Sequence, residues 1–154
     1  MEGLAVHKTI TVAAPLEKAF RVFTEGMSTW WPLDTHHIGQ ADAAEAVMEP
    51  RQGGRWYERG TDGSECEWGK VLVWDAPNRV VLAWMISPDW QHDSDEASTS
   101  EVDVRFVADG PEVTRVELTH GKLEHYGDRG TEMQGIFDGD GGWNALLQRF
   151  ADAV

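Results

Sequence analysis

Residues 101–120 read EVDVRFVADGPEVTRVELTH, and their alternation decides the fold. Val102, Val104 and Phe106 alternate with Glu101, Asp103 and Arg105, and Val116 and Leu118 alternate with Arg115 and Glu117. Successive side chains on a strand point to opposite faces, so each run has one dry face and one wet face. Two such runs joined by a short turn are neighbouring strands of an antiparallel sheet, and the dry face of that sheet needs a cover.

The cover follows in the chain. Thr131 to Phe137 sets Met133, Ile136 and Phe137 on one side of a helical segment, and Asp138-Gly139-Asp140-Gly141-Gly142 interrupts it. Trp143, Leu146, Leu147 and Phe150 then recur at i, i+3, i+4, i+7, the stripe of an amphipathic helix. Upstream, Val80 to Ile86 is apolar on both faces, with Leu82 and Trp84 sharing one parity. Its second face is expected to be covered by a second copy of the chain in a homodimer, or by the first two helices within one chain. Further strands are read at Glu65–Trp74, Arg55–Arg59 and Ala44–Met48, separated by Thr61-Asp62-Gly63 and Gly53-Gly54. The stretch 87–98, SPDWQHDSDEAS, is an exposed polar loop.

At the other end, Val6–Val12 reads as a strand. Pro15 opens a helix that carries Leu16, Ala19, Phe20 and Phe23, and Gly26 is placed to stop it. Ser28 to Pro32 reads as a second short helix or tight turn, and residues 33–42 as a loop. The order is therefore strand, two short helices, a meander of about six strands and a long helix, an α+β architecture in one domain spanning residues 1–154. A curved antiparallel sheet wrapped around one helix leaves space between them, which is expected to be a binding cavity.

Composition limits the partners. Thirteen basic against 27 acidic residues give a net charge of −14 with no basic cluster, which argues against nucleic acid and anionic membrane surfaces. The opening residues lack a basic segment followed by a long apolar run, and no stretch is apolar enough to span a bilayer, so a cytoplasmic location is expected. Cys66 is the one cysteine; with Glu65 and Glu67 beside it, its thiolate is disfavoured. No phosphate loop, dinucleotide fingerprint or triad spacing is present, and no cofactor is expected. His36 and His37 near Asp34 lack the spacing of a metal site, and Asp138-Gly-Asp-Gly-Gly lacks the later ligands of a calcium loop, so no metal is expected either.

The segments AAPLEKAF (13–20), WWP (30–32), EPRQGGRWYERG (49–60), GKVLVWDAPNRVVLAW (69–84), EVDVRF (101–106), TRVELTH (114–120) and GGW (141–143), in this order, resemble the START/Bet v 1-like superfamily. Within it they are most similar to the group related to the C-terminal domain of the activator of Hsp90 ATPase. The resemblance covers nearly the whole chain and implies a helix-grip fold with a hydrophobic cavity. It also implies a range of roles among relatives, from lipid and hormone carriers to polyketide cyclases. The eukaryotic co-chaperone carries an Hsp90-docking domain before this fold. Here the first strand begins at Val6, so activation of Hsp90 is not expected.

The expected function is non-catalytic binding of a small apolar or aromatic molecule. The alternatives are a cyclase or hydrolase using a pocket Glu or His as acid or base, and a protein-interaction module akin to a co-chaperone. The expected cavity wall comprises Trp56, Leu82, Trp84, Val104, Phe106, Leu118, Met133 and Phe137, with Trp30, Trp31 and His36 at the mouth. Trp30 and Trp31 are read first as packed core. Glu58, Glu65 and Glu67 are read mainly as an exposed acidic face; Glu58 or Glu67, if turned into the pocket, and His120 are the candidate acid and base. Such a carboxyl would be desolvated, whereas His120 is read first as a hydrogen-bonded core group.

Overall fold

The computed structural model describes residues 4–154. Seven strands form one antiparallel sheet: β1 (Val6–Val12), β2 (Ala43–Met48), β3 (Arg55–Gly60), β4 (Glu65–Asp75), β5 (Arg79–Trp84), β6 (Ser100–Gly110) and β7 (Val113–Gly121). Their order across the sheet is β1-β7-β6-β5-β4-β3-β2. The meander from β2 to β7 is therefore sequential, and β1 adds to its far edge by pairing Val6 with His120 and Val12 with Thr114.

The chain between β1 and β2 must cross from one edge of the sheet to the other. Helix α1 (Leu16–Phe23) and a 3-10 turn at Met27–Thr29 make that crossing. Pro15 stands at the N-terminal cap, where a missing N–H costs nothing. The helix buries Ala19, Phe20 and Phe23, and Phe20 meets Phe106 and Trp74 edge-on at 5.1 and 5.0 Å. It ends before Gly26: the Thr24 hydroxyl donates to the Phe20 carbonyl at 2.8 Å and closes the last turn.

After β7 come a 3-10 stretch (Leu123–Arg129), α2 (Gly130–Asp138) and α3 (Trp143–Ala153). The C-terminal helix is thus broken in two by the expected 138–142 turn. Gly142 is required there, since a Cβ would lie 2.3 Å from the Phe137 carbonyl oxygen. Helix α3 packs against β1 and α1, and buries Trp143, Leu146, Leu147 and Phe150.

The alternation of β6 and β7 holds: Val102, Val104, Phe106, Val116 and Leu118 are all buried on the concave face. On β5 the outward residues Val81 and Ala83 are buried as well. Charged side chains of the neighbouring strands flank them, with Arg79 bonded to Asp103 at 2.8 Å and Lys70 registered opposite Ala83. The first helix does not cover this second face of β5: it packs on the inner face, where Phe20 meets Phe106.

Candidate functional site

A cleft of about 620 Å³ opens where β4 and β5 meet the α2–α3 turn and the 31–38 loop. Trp31, Trp68, Trp84, Phe137 and Trp143 form its aromatic wall, and Ile38, Ile86 and Leu146 add aliphatic surface. Thr35, His36 and His37 are its polar side chains, with backbone from Gly135, Gly139, Gly141 and Gly142. Trp90 and Ile136, each 42% exposed, stand at the rim. Trp90 holds a left-handed backbone (φ 62°), an uncommon conformation for a bulky residue, and its ring meets Phe137 edge-on at 6.4 Å. The size and lining suit one drug-sized apolar molecule.

The wall is set by a row of residues across three strands. Gly69 on β4 is registered with Trp56 on β3 and with Trp84 on β5. The β3–β4 register slips between Trp56 and Tyr57, leaving Trp68 as the extra residue of a bulge. A bulge re-aims the side chains around it. Here Trp68 reaches the buried side and meets Trp31 and Trp56 at 5.0 and 5.5 Å.

Glu58 is buried on β3, and its carboxylate is occupied. Oε1 accepts from the Ile38 amide (2.5 Å) and the Trp68 indole (2.8 Å), and Oε2 accepts from the Gly39 amide (3.2 Å). The group expected as a pocket acid is therefore a clamp. It holds residues 38–39, and with them His36 and His37, over the sheet. Glu58→Gln leaves one amide facing an N–H instead of an acceptor. It is expected to cost about 1–3 kcal/mol of stability and to speed hydrogen exchange at Ile38 and Gly39. Urea unfolding and exchange rates equal to those of the native protein would contradict the clamp.

The two loop histidines differ. His36 Nε2 is 3.0 Å from the Gly141 carbonyl and Nδ1 is 2.7 Å from the Thr35 hydroxyl, so both nitrogens are engaged and the ring bridges the loop to the α2–α3 turn. A carbonyl only accepts, so His37 donates through Nδ1 to Gly39 O at 3.0 Å. In the neutral ring Nε2 is then the acceptor nitrogen. The same Nδ1 lies 3.9 Å from Glu58 Oε2.

His120 lies in the core behind Trp84, Phe137 and Trp143, with its ring stacked on Phe137 at 4.3 Å. Indole only donates, so Trp143 Nε1–H gives its proton to His120 Nδ1 (3.0 Å), and Nε2–H must donate to Ser100 Oγ (2.8 Å). Tyr126 spends its proton on the Ile86 carbonyl (2.9 Å), so Ser100 donates to the Tyr126 oxygen (3.3 Å). Every member of this chain is satisfied in one direction. Burial pushes the imidazole down to about 3, which holds it neutral, and pushes Tyr126 up to about 12. His120 is a structural group with no free nitrogen for catalysis.

Of the residues expected around the cavity, Trp31, His36, Trp84 and Phe137 lie on its wall. Leu82, Val104, Phe106, Leu118 and Met133 do point into the interior, but there they are packed core rather than wall. α1 and α3 fill this part of the interior: Phe23 meets Phe106 and Phe150 at 5.6 and 5.2 Å. Trp30 is enclosed by Phe23 and Phe150, and Trp56 lies behind Trp68 and Trp84 with its indole on Met27 Sδ at 3.3 Å. Trp68, Trp90, Trp143 and His37 belong to the wall without having been expected there. Trp143 stood on the apolar stripe of the last helix and His37 beside His36, but neither Trp68 nor Trp90 had a signal of its own. Cys66 is held up chiefly by burial and then by the Glu58 charge, while Glu65 and Glu67 turn away to Arg55. Among the described residues no three His, Cys, Asp or Glu converge as a metal site, and no helix is long and apolar enough to cross a membrane.

A curved seven-stranded sheet closed by C-terminal helices over an aromatic cavity defines a helix-grip domain of the START/Bet v 1-like kind. The chain belongs to the activator of Hsp90 ATPase homolog 1-like family, whose model matches residues 13–154. Among solved structures it is similar to an anthrahydroquino-γ-pyrone synthase, Txn09, at 40% identity over 97% of this chain and 96% of that one, with a TM-score of 0.69. It is also similar to CalC, a self-sacrificing resistance protein of Micromonospora echinospora, at 33% identity over 96% and 92% of the two chains (TM-score 0.68). An Hsp90 activator from Plasmodium falciparum shares the fold at 23% identity, over 78% of this chain and 74% of its own, with a TM-score of 0.54. No curated protein matches the chain.

Proposed function

We propose that the protein binds one flat aromatic molecule of polyketide type in the cavity beside Trp84, holding it without transforming it. The observation that carries this reading is the aromatic backing of an open cleft of about 620 Å³, in which the largely buried rings of Trp31, Trp68, Trp84, Phe137 and Trp143 lie behind the rim residues. Aromatic walls favour flat apolar ligands through offset and edge-on ring contacts. The buried carboxylate is held by three hydrogen bonds and both nitrogens of the buried imidazole are bonded, which ties these groups to the fold. The similarity to a γ-pyrone synthase supports a ligand of this class.

The test uses Ile136, which stands at the cavity rim and is 42% exposed. Chromone, a benzo-γ-pyrone, is expected to bind with a dissociation constant of about 1 mM or tighter. Ile136→Asp, which sets a charge on the apolar rim, is expected to weaken binding about tenfold while changing stability by less than about 1 kcal/mol, since the position is exposed. Unsaturable titrations by calorimetry, or equal affinity in Ile136→Asp, would remove the reading.

A second reading is ring closure on such a molecule, favoured by the 40% identity to a synthase and by His37, whose Nε2 carries no bond among the described residues. An o-hydroxyaryl 1,3-diketone closes to a γ-pyrone when its phenol oxygen bonds to the distal carbonyl carbon and one water leaves. His37 would move the protons. Mass spectrometry decides between the two. Catalysed loss of water that disappears in His37→Ala supports ring closure, and binding with no change of mass supports the carrier.

A further inference from the structure

The tryptophans of the interior differ in one respect. Trp30 donates its indole proton to the Val22 carbonyl (3.0 Å), Trp31 to the His36 carbonyl (2.8 Å), Trp56 to Met27 sulfur (3.3 Å), Trp68 to Glu58 (2.8 Å) and Trp143 to His120 (3.0 Å). Trp84 Nε1 donates to nothing, and it is the single buried side-chain polar atom without a partner among the described residues. Trp84 is 4% exposed and belongs to the cavity wall. A buried donor left unpaired is costly, and native interiors seldom keep one without a reason. The rings around it, those of Trp56, His120, Phe137 and Trp143, hold the indole edge-on or tilted at 5.0 to 6.1 Å, and the nitrogens of His120 are already taken.

We infer that the Trp84 indole N–H is the recognition donor of the cavity, reserved for a carbonyl or other acceptor oxygen on the ring system of the bound molecule. This rests on the proposed binding function and narrows its ligand class: an aromatic ketone, pyrone or quinone is selected over a hydrocarbon of the same shape. The N–H itself is closed to solvent, so an acceptor reaches it only with a turn of the Trp84 ring or of the Phe137 ring beside it. A site with a buried donor discriminates strongly against an analogue lacking the acceptor, because that analogue leaves the donor unpaired.

Chromone and naphthalene test this, being flat bicyclic molecules of similar size with and without an acceptor carbonyl. Calorimetric titration of the native protein is expected to show chromone binding about tenfold more tightly than naphthalene. In Trp84→Phe, which keeps a ring but removes the N–H, chromone is expected to fall to the naphthalene level while naphthalene changes less than about twofold. In the native protein, the indole ¹H–¹⁵N resonance of Trp84 is expected to move downfield with chromone and not with naphthalene. That measurement stands even where Trp84→Phe folds poorly. A chromone preference that survives in Trp84→Phe, or an unmoved Trp84 resonance at chromone saturation, overturns the assignment of the donor. Equal affinity of the native protein for both probes overturns the selectivity. Absence of binding by either probe overturns the binding function itself, and this inference with it.

Discussion

Gly69→Ala is expected to destabilise the protein by about 3 kcal/mol or more, a fall of roughly 10 °C in Tm for a chain of this size. A Cβ at this position would lie 1.7 Å from the Ala83 carbonyl oxygen and 2.8 Å from its carbon, both backbone atoms of the neighbouring strand. Backbone in the middle of a sheet cannot step aside as a flexible side chain can, so β4 and β5 must part locally. The loss would also spread to the site, because Gly69 is registered with Trp56 and Trp84 and lets those rings meet edge-on at 5.7 Å. Gly135→Ala is the internal control. Its Cβ enters open space on a helix, so it is expected to be neutral or to stabilise by up to about 1 kcal/mol. Urea unfolding of both variants checks the pair; a Gly69→Ala protein within about 0.5 kcal/mol of native would show that the strands give way cheaply.

The same row of residues explains how far the sequence could be read. Period-two alternation placed β6 and β7 and their buried faces, and the i, i+3, i+4, i+7 stripe placed α3, because each pattern has a single physical solution. Parity names the face of a strand but not the position along it. Val104, Phe106 and Leu118 share the inward face with Trp84, yet α1 and α3 fill the space in front of the first three and leave it open in front of the last. Trp68 was hidden for another reason. The register slip beside it adds one residue to β4, and neither composition nor periodicity carries a mark of that. Glu58 reads from the sequence as one of an acidic face or as a pocket acid, and it is neither: it is buried on the amides of Ile38 and Gly39 and the Trp68 indole, and backbone donors from a loop leave no signature in side-chain spacing.

Stability is expected to fall steeply as the pH drops from about 6.5 towards 3, with His120 contributing on the order of 4 kcal/mol across that window. The native imidazole is held down to about 3 by burial, against an ordinary value of 6.5 in the unfolded chain. Between those values the unfolded state binds a proton that the native state refuses, so acid favours unfolding. The contribution is fully present above 6.5 and is lost as pH falls through the window. Protonation would also break the hydrogen-bond chain, since Nδ1 accepts from Trp143 and a cation has no acceptor nitrogen. The groups bonded to the ring, Ser100 and Trp143, and those stacked against it, Trp84 and Phe137, carry no charge that could stabilise a cation. His120→Gln can still accept from Trp143 and donate to Ser100. Its free energy of unfolding is expected to lose the contribution of this group between pH 6.5 and 5, where most unfolded carboxylates remain ionised, whereas the native protein loses roughly 1 kcal/mol per pH unit more. Parallel urea titrations of the two proteins measure that difference, and identical slopes would mean that His120 can take up its proton inside the fold.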